Sequence, residues 1–117
     1  MKLWIDDVRP MPEDFDILAK SADEAIEILK AGKITHVSFD HDLGDIIQTD
    51  GPIIEWIKHE KSGYDVAMWI EHQAYLGTIT PFTFTVHSAN PIGAKRIANA
   101  MKNAEEYWSK NDRSKKN

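Results

Sequence analysis

The stretch Val37-Ser38-Phe39-Asp40-His41-Asp42 decides the fold, because it is an apolar run that ends abruptly in charged residues. Such a run is typical of a buried strand whose carboxyl end opens into a site. The same arrangement occurs twice more, where Leu3-Trp4-Ile5 runs into Asp6-Asp7-Val8-Arg9 and where Phe82-Thr83-Phe84-Thr85-Val86 runs into His87-Ser88-Ala89-Asn90. In open α/β sheets, ligands bind at the carboxyl ends of the strands. The sequence therefore predicts a site where these three strands end.

Helical patterns separate the strands. After a short strand at 17–19, Ser21 and Glu24 form a capping box that starts a helix ending at Gly32. A second helix is predicted from about Tyr64 to Gly77, and Asn90 followed by Pro91 is a strong start signal for a third. Strands that alternate with helices imply parallel pairing and right-handed crossovers. The fourth strand alternates apolar residues with threonine, which favours a position at or near a sheet edge.

Composition sets the outer limits. The chain has 117 residues, which fits one domain, and we predict a domain over 1–108, an insertion at 43–62 and a disordered tail at 109–117. It has no cysteine, which excludes disulfides, thiolate metal sites and a cysteine nucleophile. The net charge of −5 argues against binding to duplex nucleic acid. No apolar stretch approaches the length of a membrane helix, so we expect a cytoplasmic protein with no membrane association.

Four motifs carry a resemblance to a known family. They are Ile5-Asp6-Asp7-Val8-Arg9, Phe39-Asp40-His41-Asp42-Leu43-Gly44, Gly63-Tyr64-Asp65-Val66-Ala67 and His87-Ser88-Ala89-Asn90-Pro91. Together they resemble the cyclic-phosphate processing receiver domain family, a divergent two-component receiver-like domain, over roughly residues 2–104.

The resemblance implies a truncated receiver-like (flavodoxin-like) α/β fold. We expect a three-layer sandwich in which a parallel sheet of four strands, in the order 2-1-3-4, has helices on both faces. The chain departs from an ordinary receiver in three respects. Nothing after residue 91 reads as a fifth strand, so the lysine at that strand's end has no counterpart. The segment 10–14 replaces the first helix, and 43–62 is inserted.

The aspartates after the first and third strands predict a metal site. Clustered carboxylates raise each other's pKa unless a cation lies among them, and hard oxygen ligands suit Mg²⁺, Mn²⁺ or Ca²⁺. The resemblance to a receiver implies that Asp7 and Asp40 bind the metal directly and that Asp6 binds it through water. We therefore expect Mg²⁺ or Mn²⁺ as the cofactor. The alternative is a network of loop caps and solvated acids.

Two histidines predict proton transfer. His41 and His87 follow adjacent strands and are expected to face each other across a ligand, where they would supply one acid and one base near neutral pH. Either residue is also a potential nitrogen ligand for a metal, and a purely structural role is the alternative for each. Asp42 and Ser88 are further catalytic candidates. Of the other histidines, His36, His59 and His72 are assigned to the surface or to the insertion.

The start of the last helix predicts a phosphate site. Free N–H groups at a helix N-terminus bind anions, and Gly93 is expected to allow close approach. Ser88 and Asn90 lie at this position, and Arg9 is placed to clamp a phosphate with two hydrogen bonds. Asn90 also fits a purely structural cap, and Arg9 also fits a simple ion pair with a site aspartate.

These predictions favour a metal-dependent phosphoesterase, that is, a phosphoric ester hydrolase. Its substrate would be a cyclic phosphate, either the 2′,3′-cyclic end of an RNA or nucleotide, as in RNA repair, or a cyclic nucleotide. The expected partner is a small phosphorylated ligand or an RNA end. Two alternatives remain open: a stand-alone response-regulator receiver phosphorylated on Asp40, or a non-catalytic module that binds a nucleotide or a protein. Fold resemblance does not separate the three.

Overall fold

The computed structural model describes residues 1–41 and 62–116, with side chains up to residue 110. The described elements are β1 (Lys2–Ile5), β2 (Ile17–Ala19), α1 (Ala22–Lys30), β3 (His36–Phe39), α2 (Gly63–Leu76), β4 (Thr83–Val86) and α3 (Pro91–Lys116). All strand pairs are parallel, and the sheet has the order β2-β1-β3-β4. The predicted receiver-like α/β fold, its strand order and the edge position of β4 are confirmed.

One face of the sheet packs against all three helices. Alternate residues of the central strands, Leu3 and Ile5 on β1 and Val37 and Phe39 on β3, are fully buried in a single core. We call this side of the sheet the helical face. The helices contribute apolar residues to the core: Ala22, Ala25, Leu29, Val66, Ala67, Ile70, Ala74, Ile97, Ala100, Met101 and Ala104.

The other side of the sheet, which we call the second face, carries the intervening residues, among them Trp4 and Ser38. The connection between β1 and β2 covers part of it. The Phe15 ring meets Trp4 edge-on at 5.1 Å between centroids, and Trp4 Nε1 donates to the Arg9 carbonyl at 3.4 Å. We expected helices on both faces, but within 1–41 and 62–110 every helix lies on the helical face. On the second face the non-helical segment that includes 10–14 forms the third layer.

The helix ends follow the predicted capping residues. Ser21 Oγ accepts from the Glu24 N–H at 3.1 Å, and Asn90 Oδ1 accepts from the Gly93 N–H at 3.0 Å. Helix α2 ends at Gly77, whose φ of +76° is a left-handed conformation that glycine adopts at little cost. Since Asn90 follows β4 by four residues, its cap starts α3 directly above the carboxyl edge of the sheet.

Helix α3 extends further than expected. It continues to Lys116 and so includes most of the segment 109–117 that we predicted to be a disordered tail. The domain boundary at 108 stays a prediction, and the proposed insertion at 43–62 lies almost entirely outside the described residues. Among the helices that the structure describes, none is long and apolar enough to cross a membrane.

Candidate functional site

The site is built by hydrogen bonds that continue past the ends of three strands. The Asp6 N–H donates to the Ala19 carbonyl at 3.0 Å, and the Asp40 N–H donates to the Ile5 carbonyl at 3.0 Å. The His87 N–H donates to Phe39 at 2.9 Å in the same way. Each of Asp6, Asp40 and His87 is the first residue after its strand, so the sheet fixes all three backbones at its carboxyl edge.

Three carboxylates converge at this edge. Asp6, Asp7 and Asp40, which we call the acid cluster, each offer one oxygen, and these oxygens lie within 4.8 Å of one another. The cluster opens into a cavity of about 260 Å³ that is lined by Asp6, Asp7, Val8, Arg9, Asp40 and Ala89. The structure thus brings together the three aspartates that the sequence proposed as metal ligands.

Asp6 is the most heavily bonded of the three. Its Oδ1 accepts from the N–H groups of Val8 and Arg9 at 2.8 and 2.9 Å, and its Oδ2 lies 3.1 Å from Arg9 Nη1 and 3.0 Å from His87 Nε2. Burial raises the pKa of Asp6, but the two backbone donors, followed by His87 and Arg9, outweigh it and hold the pKa below the usual 3.8. Asp6 is therefore ionised, and its four contacts use its lone pairs.

Asp7 differs from Asp6 in its hydrogen bonds. Its Oδ1 is buried and has no hydrogen-bond partner among the described residues. A buried carboxylate oxygen without a donor is costly unless a cation neutralises it. The donor set of the acid cluster is oxygen alone, which suits Mg²⁺ or Mn²⁺ better than softer metals. The residues present therefore fit a divalent cation held by Asp7 and Asp40.

Arg9 lies across the acid cluster. Its Nη1 is 3.1 Å from Asp6 Oδ2 and 3.6 Å from Asp40 Oδ1, and 43% of its side chain is exposed. The sequence left two roles open for Arg9, a phosphate clamp or a partner of a site aspartate. The structure shows the ion pair with the aspartates.

His87 lies on the second face, beneath the acid cluster. Its ring stacks on the Trp4 indole at 3.8 Å between centroids with 3° between the planes. Nε2 contacts Asp6 at 3.0 Å and Nδ1 contacts Ser38 Oγ at 2.7 Å. Burial lowers the pKa of His87 below its ordinary 6.5, although the bond to Asp6 and its charge act in the opposite direction. Both ring nitrogens are thus already engaged.

A directed chain of hydrogen bonds links His87 to the sheet edge. The Asp6 carboxylate only accepts, so His87 Nε2 donates to it, and Nδ1 accepts from the Ser38 hydroxyl. Ser38 Oγ in turn accepts from Thr85 at 2.9 Å. Thr85 Oγ1 lies 3.2 Å from His36 Nε2, and His36 Nδ1 lies 2.6 Å from Thr83 Oγ1. From Thr85 through Ser38 and His87, every donor points toward Asp6, whereas the Thr83 hydroxyl donates to the Thr35 carbonyl at 3.3 Å.

The Ser38–His87–Asp6 contacts have the pattern of a hydrolytic triad, but the position of Ser38 argues against that role. Ser38 is only 2% exposed, in the middle of β3, where no substrate reaches its hydroxyl. Sequence reasoning missed Ser38 and Thr85 and placed His36 on the surface. The signal was present, because every second position is polar at 36, 38 and 40, along β3 and just after it, and at 83, 85 and 87, along β4 and just after it.

The burial of His36 predicts a pH dependence. Burial, and after it the positive charge of Lys2, lower the pKa of His36 below its ordinary 6.5. A histidine with a lowered folded-state pKa binds more protons when unfolded, so stability falls as pH decreases below about 6.5. We expect urea unfolding of the metal-free protein to show a lower free energy at pH 5.5 than at pH 7.5. His36→Gln should reduce this difference without abolishing it, because burial also lowers the pKa of His87, and an unchanged slope in that variant would contradict the prediction.

His41 has different neighbours from His87. Its ring lies against the first turn of α3, where a Cβ on Gly93 would overlap Cγ and Cδ2 and would lie 2.7 Å from Nδ1. The Gly63 N–H donates to the His41 carbonyl at 2.8 Å, and a Cβ on Gly63 would overlap the Asp40 carbonyl oxygen. We expected Gly93 to make room for an anion, but it makes room for His41. The two histidines therefore have different surroundings: His41 packs against α3 on the helical face, and His87 stacks on Trp4 on the second face.

This packing predicts a cost for Gly93→Ala. The added methyl group must displace the His41 ring, and overpacking of this kind typically costs about 1–3 kcal/mol. Urea unfolding should report that loss. Ile92→Ala is the matched control, because Ile92 is the neighbouring residue, is 70% exposed, and should change stability by no more than about 0.5 kcal/mol. Equal effects of the two substitutions would show that the close approach to His41 is unimportant.

The predicted phosphate residues occupy the turn before α3. Ser88 Oγ accepts from the Asn90 N–H at 3.0 Å, and Asn90 Oδ1 caps the Gly93 N–H. Both residues are half-buried. Asn90 is therefore the structural cap that the sequence allowed for, and a contact of either residue with phosphate stays a prediction. The catalytic candidate Asp42 lies outside the described residues.

Comparison with known proteins gives one match. A family model described as the cyclic-phosphate processing receiver domain matches residues 1–103. No curated protein and no solved structure matches the chain. The matched range contains the acid cluster, Arg9, both site histidines and the first half of α3.

Proposed function

Since the chain belongs to the cyclic-phosphate processing receiver domain family, we propose that it is a metal-dependent phosphoesterase that opens a cyclic phosphate. The substrate is a 2′,3′-cyclic phosphate end of an RNA or nucleotide, or a cyclic nucleotide. One observation carries the proposal: the acid cluster contains a buried carboxylate oxygen of Asp7 that has no partner among the described residues. A purely structural network would satisfy that atom.

Opening a 2′,3′-cyclic phosphate is a hydrolysis. A water oxygen bonds to phosphorus, the bond from phosphorus to one ribose oxygen breaks, one proton leaves the water, and one proton reaches the departing oxygen. A divalent cation at Asp7 and Asp40 would supply positive charge that polarises the phosphoryl group and makes a water more acidic. The chain itself must then orient the phosphate and move the two protons.

His41 is the stronger candidate for proton transfer. It directly follows Asp40, and its ring lies beside the start of α3, near the turn formed by Ser88 and Asn90. Both nitrogens of His87 are already bonded, to Asp6 and to Ser38, so moving a proton there would break the chain that holds Asp6. We therefore assign His87 to the positioning of Asp6. Arg9 and the turn before α3 supply donors for the phosphate oxygens.

A hydrolysis assay with a metal screen tests the proposal. The panel contains 2′,3′-cyclic nucleotides, a short RNA with a 2′,3′-cyclic end, 3′,5′-cyclic nucleotides and linear diesters, each with Mg²⁺, Mn²⁺, Ca²⁺ or a chelator. We expect turnover of a cyclic substrate that depends on Mg²⁺ or Mn²⁺ and is lost in Asp7→Asn. A protein that hydrolyses none of these substrates with any metal is not an esterase of this class.

The receiver alternative has one observation in its favour. Asp40 follows a central strand and lies beside Asp6 and Asp7, which is where the resemblance places the phosphorylated residue. Incubation with acetyl phosphate and Mg²⁺, followed by intact-mass measurement, would then show an added phosphoryl group that is lost in Asp40→Asn. Strong labelling together with no hydrolysis of any cyclic substrate would favour the receiver over the esterase.

A further inference from the structure

Resting on the metal site of the proposed function, we propose that Arg9 competes with the metal for the acid cluster. In the metal-free protein its guanidinium is the counter-ion of Asp6 and Asp40, and it leaves them when a divalent cation binds. Arg9 thereby sets the affinity of the site for the metal, a role distinct from that of a phosphate clamp.

The contacts of Asp6 require this exchange. Its Oδ2 is shared between Arg9 Nη1 and His87 Nε2, while its Oδ1 accepts two backbone N–H groups. No lone pair of Asp6 is left for the water through which Asp6 is expected to contact the metal. Of these four donors, His87 is fixed by its stack on Trp4, and the backbone donors are fixed by the turn. The Arg9 side chain is the donor that can depart.

The backbone of Arg9 is held in place, whereas its side chain can move. Its backbone N–H donates to Asp6 Oδ1 at 2.9 Å, and its carbonyl accepts from Trp4 Nε1 at 3.4 Å. The side chain, by contrast, is 43% exposed and lines the mouth of the cavity. It can therefore swing into solvent without disturbing the loop, and there it would remain within reach of an incoming phosphate.

The charge of the acid cluster also favours the departure of Arg9 when a cation binds. The acid cluster contains three carboxylates and Arg9 adds one guanidinium, so the net formal charge is −2 when all are ionised. A divalent cation placed among the carboxylates would lie a few ångströms from the guanidinium, and two like charges at that distance repel appreciably even in water. Releasing Arg9 removes the repulsion and frees Asp6 Oδ2 together.

Calorimetric titration of the purified protein with Mn²⁺ tests this role. We expect Arg9→Gln to bind Mn²⁺ about 10-fold more tightly than the unaltered protein, because the competing positive charge is gone. Lys30→Gln is the matched control. It also removes one cation and one ion pair, with Glu27 at 3.2 Å, but it lies at the end of α1, before β3 begins. Salt screens the charge of Lys30 over the distance from the end of α1 to the acid cluster, so Lys30→Gln should change the Mn²⁺ affinity by no more than about twofold.

Arg9→Lys tests the role in a variant that keeps the positive charge. Lysine keeps the positive charge but is a compact, strongly hydrated point charge on a shorter side chain, so we expect an intermediate gain of about threefold. Circular dichroism checks that each variant is folded, and if Arg9→Gln is not, Arg9→Lys decides alone. Unchanged or weaker Mn²⁺ affinity in the Arg9 variants overturns the proposal, as does the absence of Mn²⁺ binding in every variant. Tighter binding with no hydrolysis of any cyclic phosphate would support the role of Arg9 and count against the esterase.

Discussion

The His41→Ala variant is expected to open a 2′,3′-cyclic phosphate about 10²–10⁴-fold more slowly than the unaltered protein, which is the usual contribution of a positioned proton-transfer group. The backbone of His41 is held by the Gly63 N–H at 2.8 Å, and its ring lies in the space that Gly93 leaves. Replacing the ring by a methyl group removes the proposed proton carrier and leaves Asp7 and Asp40 in place. Turnover at saturating substrate, measured with Mg²⁺ or Mn²⁺, is the readout.

Two further histidine variants make the result specific. His72→Ala should retain full turnover, because His72 is exposed on α2, away from the carboxyl edge. His87→Ala should lower the melting temperature, because it removes one of the four donors to Asp6, the acceptor of the Ser38 hydroxyl and the ring that stacks on Trp4. Metal-induced stabilisation should persist in His41→Ala. Turnover within about threefold of the unaltered protein would exclude His41 as the proton carrier.

The same variant separates the esterase from a phosphorelay. Both functions use Asp40 and a divalent cation, so a change at Asp40 abolishes either one. A receiver has no need of proton transfer from His41, and its labelling by acetyl phosphate should survive His41→Ala. Loss of hydrolysis in that variant, with the metal-induced stabilisation kept, is therefore a result that only the esterase explains.

The strand ends could be predicted because the cause is local. Each of the three apolar runs stops at a charged or imidazole side chain, and parallel strands place such residues at one edge. The backbone hydrogen bonds from Asp6, Asp40 and His87 to the neighbouring strands hold these residues at that edge. The start of α3 could be predicted for the same reason, since the cap at Asn90 is made within four residues of the chain.

The surroundings of the histidines could not be predicted, because they depend on neighbours that are distant in sequence. His87 is 49 residues from Ser38 and 81 from Asp6, and its stack on Trp4 also spans the sheet. The sequence shows alternation within a strand but not which residue of another strand lies opposite. His41 was expected to face His87 across a ligand, whereas contact with Gly93 directs its ring to the helical face.

The absence of a helix from the described part of the second face also has a structural consequence. The non-helical connection between β1 and β2 brings Phe15 onto Trp4 and places the Arg9 carbonyl over the indole nitrogen. The turn from Asp6 to Arg9 is thus fixed by the hydrogen bond from Trp4 to the Arg9 carbonyl and by the two backbone N–H groups that donate to the Asp6 carboxylate. A loop held in this way keeps Asp7 directed at the cavity even though Oδ1 has no described donor.

That orientation of Asp7 leads to the second large effect, on stability. A cation that binds only the folded protein stabilises it by about 2.7 kcal/mol at 100 times its dissociation constant. For a domain of this size the gain corresponds to a rise in melting temperature of about 10 °C. We expect millimolar Mg²⁺ or Mn²⁺ to produce this rise, as measured by differential scanning fluorimetry against a chelator.

Asp7→Asn should abolish the rise while leaving the metal-free protein at least as stable as before. The first expectation follows because an amide is a weaker ligand for a hard cation than a carboxylate. The second follows because Asp7 Oδ1 has no described partner to lose and because one of three repelling charges is removed. Glu27→Gln, which removes a negative charge from α1, should keep the full rise. If the cation raises the melting temperature of Asp7→Asn as much as that of Glu27→Gln, the metal binds elsewhere, and the Asp7 oxygen that has no partner among the described residues would only destabilise the fold.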